Sequence, residues 1–183
     1  MFREVPVLPV VVPLAVLVLV LATWHLRRTG MLTAPRATVG LAWAVYAAGV
    51  VANTIFPIYL DKPGGGPRTG LLNLTLGSGY EPADALMNIC VFVPVGVLVA
   101  LVAPRWPAWA VLAAATALSL VVETTQLVTA RKLGGGHVAD VNDLLFNLVG
   151  AALGLLLLSA ASRIPAVTGL VDRFRWAWTG ADR

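Results

Sequence analysis

Residues 119–154 read SLVVETTQLVTARKLGGGHVADVNDLLFNLVGAALG. Two apolar segments flank a short polar link, and Glu123, Gln126, Asp140, Asp143 and Asn147 lie in or beside them. A carboxylate in hydrocarbon costs about 2.5–3.5 kcal/mol on insertion scales, so it faces a bundle interior or a wet cavity and marks a candidate functional site. The rest of the chain reads as the scaffold that holds these polar groups.

Composition agrees with a membrane setting. The 183 residues are 58% hydrophobic and 12% charged, with a mean hydropathy of +0.84; a soluble domain carries about twice that share of charge. One integral membrane domain spanning residues 1–183 is expected. Cys90 is the single cysteine, which excludes an intramolecular disulfide and a Cys-rich metal site; in its apolar run it reads as a small buried hydrophobe. The net charge of +4 is scattered, and no basic-aromatic platform points to nucleic acid. No cofactor is implied.

The architecture expected is all-α: a polytopic helical membrane protein with about five transmembrane helices and a C-terminal segment lying on the surface. Val5 to Leu26 is the first crossing, too long for a signal-peptide core and followed by His25-Leu26-Arg27-Arg28, which reads as a stop. Helix 2 runs from about Ala37 to Phe56, with Ala44, Ala48 and Gly49 as close-packing positions. The segment from Pro57 to Pro82 holds Gly64-Gly65-Gly66-Pro67 and is not helical; within it Leu71 to Leu76 is apolar enough to dip into the interface. Helix 3 follows from about Ala83 to Ala103, with Pro94 near its middle, then helix 4 from about Ala108 to Val128 and helix 5 from about Asp140 to Ala160. Leu157, in the apolar half of helix 5, is expected to pack. The tail from Ser162 to Arg183 mixes Arg173 and Arg175 with Phe174, Trp176 and Trp178, a pattern that suits the membrane surface.

At 100° per residue, Thr116, Ser119, Glu123 and Gln126 form one stripe of helix 4. Asp140, Asp143, Asn147, Gly150 and Gly154 form another on helix 5, and Asp84 and Asn88 share a face of helix 3. Counted from the outer helix ends, Asn88, Glu123, Asp143 and Asn147 lie roughly 5–12 Å deep. Three helices thus place polar groups in one layer. Asn, Gln and Ser in membranes also serve simply as interhelical glue, and Asp84 and Asp140 are each read first as helix N-caps at the water boundary. Neither role accounts for a carboxylate as deep as Glu123.

The order Asp84-x3-Asn88-x3-Phe92-x-Pro94-x-Gly96, Ser119-x3-Glu123-x2-Gln126, Asp140-x2-Asp143-x3-Asn147-x2-Gly150-x3-Gly154 resembles the VanZ-like family over about residues 40–160, leaving 161–183 as an interfacial tail. The resemblance implies a small bacterial multi-pass protein of the plasma membrane, from a family named after a protein linked to low-level resistance to teicoplanin, a lipoglycopeptide. The sequence departs from the family pattern twice. His137 stands where a basic residue, usually Arg, precedes the acidic motif, and Asn73-Leu74-Thr75-Leu76 lacks the proline of the family's Asn-Leu-x-Pro loop.

Three functions fit these residues, in descending order. The first is a binding module for the head group of an envelope lipid or cell-wall precursor, which alters lipoglycopeptide susceptibility. Its ligand-binding candidates are Asp84, Asn88, Glu123, Gln126, His137, Asp140, Asp143 and Asn147, with His137, Arg131 or Lys132 available to a phosphate or carboxylate. The second is an intramembrane acid–base enzyme acting on a lipid-linked substrate through Glu123 and Asp143. The third is an ion-coupled carrier, for which the chain is short and shows no inverted repeat. No acid or histidine pair has diagnostic metal spacing. Membrane lipids are the partners expected.

Five crossings put the termini on opposite sides. With the link after helix 1 inside, inner segments hold Arg27, Arg28, Arg36, Arg105, Arg163, Arg173, Arg175 and Arg183, and outer segments hold Arg3, Lys62, Arg68, Arg131 and Lys132. Eight against five favours an external N-terminus, with Trp24, Trp106, Trp109, Trp176 and Trp178 in an inner aromatic belt. A cysteine placed at Gly65 should therefore react with an impermeant thiol reagent in intact cells; labelling only after lysis would reverse the orientation.

Overall fold

In hydrocarbon every backbone N–H and C=O has to be satisfied within its own segment, so apolar runs of this length fold as helices. The computed structural model describes residues 3–60, 72–77, 79–133 and 139–177. Among them are six helices: α1 (Leu8–Arg28), α2 (Ala34–Thr54), α3 (Pro82–Val102), α4 (Ala108–Leu133), α5 (Val141–Ala161) and α6 (Pro165–Phe174). The first five are long and apolar enough to cross a membrane. Two-residue strands β1 (Leu72–Asn73) and β2 (Ala139–Asp140) pair in parallel and tie the segment before α3 to the entrance of α5. The glycine run at 64–66, Leu71, His137, Trp178 and Arg183 lie outside the described residues.

Several expected ends move for identifiable reasons. Val5 is not helical; its N–H donates to the Ile58 carbonyl at 2.9 Å, and α1 starts at Leu8 with Pro9 in its first turn, where a missing N–H costs nothing. For the same reason α2 carries Pro35 in its first turn and α3 starts at Pro82. Pro94 lies inside α3, which continues past it to Val102. The polar residues Thr129 and Arg131, expected in a link, continue α4 to Leu133.

The tightest pair is α3 with α5. A Cβ on Gly96 would land on the Ala151 carbonyl oxygen, one on Gly150 on that of Ile89, and one on Gly154 on that of Val93. These glycines let the two backbones touch, the close approach expected of small residues in membranes. Phe92, Val95, Ala115 and Ala151 form the buried cluster where α3, α4 and α5 meet. Gly49 does not share this role. A Cβ there would meet nothing within 4 Å. Cys90 is exposed and Leu157 is 61% exposed; both lie on outward faces of their helices, where hydrocarbon replaces protein contacts, rather than in the interior where they were expected.

α1 packs mainly along α2 and turns Val12, Val16, Leu17, Val20 and Leu21 outward. The opposite end of the bundle is closed by the tail, which does more than lie on a surface. Arg36, 2% exposed, donates from Nε to the Arg175 carbonyl at 2.9 Å and from Nη2 to the Ala177 carbonyl at 2.6 Å. Trp176 donates its backbone N–H to the Leu101 carbonyl at 2.9 Å and its indole N–H to the Arg36 carbonyl at 3.2 Å, and stacks on His25 with ring centroids 5.6 Å apart. Val171, Phe174 and Trp176 pack on Val39, Leu98 and Leu101. Trp24, Trp106 and Trp109 stay more than half exposed at this end, as an interfacial belt requires.

Because Gly150 faces backbone and Gly49 faces open space, their substitutions should differ. Gly150→Val should cost at least about 1–3 kcal/mol through overpacking and deplete the membrane fraction. Gly49→Ala should accumulate as the parent chain does. Membrane-fraction abundance and thermal aggregation in detergent measure both; equal behaviour would contradict the α3–α5 contact.

Candidate functional site

The polar stripe of α4 turns inward. Ser119 is fully buried, Gln126 is 8% exposed and Glu123 is half-buried. Helix α5 presents Asp143 and Asn147 to the same region, α3 presents Asp84 and Asn88, and α2 adds Tyr46, Asn53 and Thr54. Between α2 on one side and α3, α4 and α5 on the other lies a cavity of about 820 Å³, within the size range of small-molecule sites. Asp84, Asn88, Glu123, Gln126, Asp140, Asp143 and Asn147 all line it. His137 lies outside the described residues, and Arg131, exposed on α4, is not part of the lining.

Two layers of hydrogen bonds fix these groups. In the deeper layer Asn147 donates to Ser119 Oγ at 2.9 Å, and Asn88 donates to Asp143 Oδ1 at 2.6 Å. In the layer nearer the helix ends, Glu123 Oε2 accepts the backbone N–H of Asp140 at 3.0 Å. Asp140 is the N-cap of α5, its Oδ1 accepting from the Asn142 backbone N–H at 2.8 Å, while its Oδ2 accepts from Asn73 Nδ2 at 3.0 Å. The cap reading of Asp140 therefore holds, and the residue also joins α4, α5 and β1. Asp84 is exposed in the first turn of α3, three residues after the N-cap Glu81. Glu123, Asp143 and Asn147, expected in one layer, all line one cavity, and Glu123 accepts its hydrogen bond from the Asp140 N–H.

Gln126 links the two halves of the site. Its Nε2 donates to the Thr54 carbonyl at the end of α2, at 3.0 Å. Its Oε1, the Asn147 Oδ1 and the Tyr46 hydroxyl are buried without a hydrogen-bond partner. All three residues line the cavity. An unsatisfied buried acceptor costs about 1–3 kcal/mol, so these atoms mark where a ligand or ordered water would find partners. The cavity wall is apolar elsewhere, with Val50, Met87, Val91, Phe92 and Val122. Its mouth includes Asn53, Tyr80, Asp84 and Met87, all exposed. Among the described residues no three His, Cys, Asp or Glu side chains are placed to hold a metal ion.

Asn142 escaped the sequence reading, as did Tyr46, Asn53 and Thr54 of α2. Asn142 is 1% exposed. Its Oδ1 accepts from the Gly77 N–H at 2.8 Å and its Nδ2 donates to the Thr75 carbonyl at 3.1 Å. Asn73 was noticed only as part of a loop motif. The usable signal was the Asp140-x-Asn142 spacing, which suits an Asx-turn at a helix start; the partner loop, 67 residues away for the Asn73–Asp140 bond, leaves no such local mark.

Fold and cavity together describe a polytopic helical membrane protein with a cavity between its helices, lined by both polar and apolar side chains. The chain belongs to the VanZ/LLP1 family, whose pattern matches residues 14–162. That match begins inside α1, ahead of the residue 40 suggested by the motifs alone. No curated protein and no solved structure matches the chain.

If Asn142 holds the 72–77 segment to α5, Asn142→Ala should lower stability by about 0.5–1.5 kcal/mol for each hydrogen bond lost. Thermal unfolding in detergent would read it. An unchanged midpoint would mean that this pairing does not hold the segment.

Proposed function

We propose that the chain is a binding module of a bacterial plasma membrane, its cavity open to the outer face and taking the polar head group of an envelope lipid or cell-wall precursor. Occupancy of the site would alter the response to lipoglycopeptides of the teicoplanin type. The observation that carries this reading is the mixed lining of the cavity: carboxylates and amides together with Val50, Val91, Phe92 and Val122. Such a lining suits an amphipathic ligand. The 64% exposed Met87 at the mouth offers a route from surrounding lipid between α2 and α3. The basic residues, eight against five, favour the cavity end outside. Of the three residues offered to a phosphate or carboxylate, Arg131 is exposed and not part of the lining, and the side chains of Lys132 and His137 lie outside the described residues.

Conservative substitutions separate ligand binding from packing. Glu123→Gln can still accept the Asp140 N–H through its amide oxygen, and Asp143→Asn keeps the shape that meets Asn88. Both variants should accumulate normally in the membrane and lose lipoglycopeptide protection. Leu101→Ala, at a buried position outside the cavity, should instead lose roughly 2–5 kcal/mol of stability. Membrane abundance beside lipoglycopeptide sensitivity measures all three; full protection in Glu123→Gln at normal abundance would make that residue structural.

A further inference from the structure

The charged groups that line the cavity are all acceptors, and the unpartnered Tyr46 hydroxyl is a neutral donor beside them. Asp84, Glu123, Asp140 and Asp143 line it, and no Lys, Arg or His does so among the described residues. Gln126 adds an acceptor whose orientation is fixed. Its Nε2 faces the Thr54 carbonyl, a group that only accepts, so Oε1 is left over, and it has no partner on a residue 8% exposed. Asn147 Oδ1 is also unpartnered, on a residue 3% exposed, although the Asn147 partner, the Ser119 hydroxyl, can donate as well as accept and does not fix the amide as the Thr54 carbonyl fixes Gln126. A phosphate or carboxylate placed here would meet like charge and, among the described residues, no donor cation. A metal ion would need carboxylates converging at one point, and among the described residues no such group exists.

We propose that the site takes the protonated amine of its ligand. An ammonium group supplies three donors and a positive charge, which matches two unpartnered amide oxygens and the surrounding carboxylates, and hydrogen bonds to ionised partners are the strong ones. This assignment rests on the head-group reading above and narrows it to amine-bearing ligands. The amine belongs either to a lipid head group, with its chains leaving past Met87, or to a small soluble amine.

The test uses the full chain in phosphatidylglycerol nanodiscs doped with phosphatidylethanolamine or with its N-acetyl derivative, which keeps the lipid and removes the charge. Native mass spectrometry reads the lipid retained. Phosphatidylethanolamine should be retained roughly tenfold or more over the N-acetyl form, the consequence of one charge-assisted hydrogen bond. Glu123→Gln and Asp143→Asn should bring the ratio toward unity. Ethanolamine that displaces the lipid supports the amine and assigns a soluble source; failure of ethanolamine to compete, with the lipid preference intact, supports the amine and assigns a lipid source. Equal retention of the two lipids by the parent chain, with both lost in Glu123→Gln, overturns the amine and leaves head-group binding standing. Displacement by magnesium ions but not by ethanolamine, without a preference between the lipids, also overturns it in favour of a metal. Retention of neither lipid, together with no uptake of ethanolamine, overturns both readings. The comparison of lipids on the parent chain does not depend on any variant folding.

Discussion

Where Gly96, Gly150 and Gly154 face the backbone of the neighbouring helix, α3 and α5 approach until carbonyl and Cα atoms meet with no side chain between them. That contact fixes the register of one helix on the other. Ile89 lies against Gly150, so Asn88, one residue earlier on α3, comes level with the first turns of α5 and reaches Asp143. The site's depth in the bilayer is therefore set by glycines that do not themselves belong to it. A one-turn slip would move Asn88 by about 5.4 Å and leave both partners unpaired in a medium that offers no substitute.

The α1–α2 hairpin joins this rigid pair differently. At the end of the bundle near α6, Arg36 and Trp176 lock α2 to the tail through main-chain carbonyls. At the cavity end Gln126 of α4 donates to the Thr54 carbonyl of α2. Close packing at one end and a polar contact at the other leave a wedge between α2 and the remaining helices, and the cavity occupies it. Gly49, facing open space, keeps the wedge wide on the α2 side.

The helices and the inward faces of α4 and α5 were legible in the sequence, because a 3.6-residue period is written locally: Ser119, Glu123 and Gln126 share a phase, as do Asp143, Asn147, Gly150 and Gly154. What was not legible is what depends on a distant partner. Arg36 counted only as a charge for orientation, yet its guanidinium is buried against carbonyls some 140 residues away. Asn142 falls one position off the predicted stripe and turns toward residues 75–77 instead. Composition placed Cys90 and Leu157 inside because both are apolar, but in lipid an apolar side chain gains as much from facing outward, so hydrophobicity stops distinguishing interior from surface.

The division between satisfied and unsatisfied polar groups then carries the functional argument. If the polar residues were only glue, each would pair across helices and the inventory would close, as it does for Asn88 with Asp143. It does not close at Gln126 Oε1 or Asn147 Oδ1. Each of these side chains donates from its amide nitrogen to a neighbouring element, and its unpartnered oxygen is buried on a residue that lines the cavity. An apolar residue in either place would avoid the cost of the orphaned oxygen, and the deficit falls on residues lining the cavity rather than on those that merely join helices. Stability alone gives no reason for that placement, whereas a site awaiting a donor-rich ligand does.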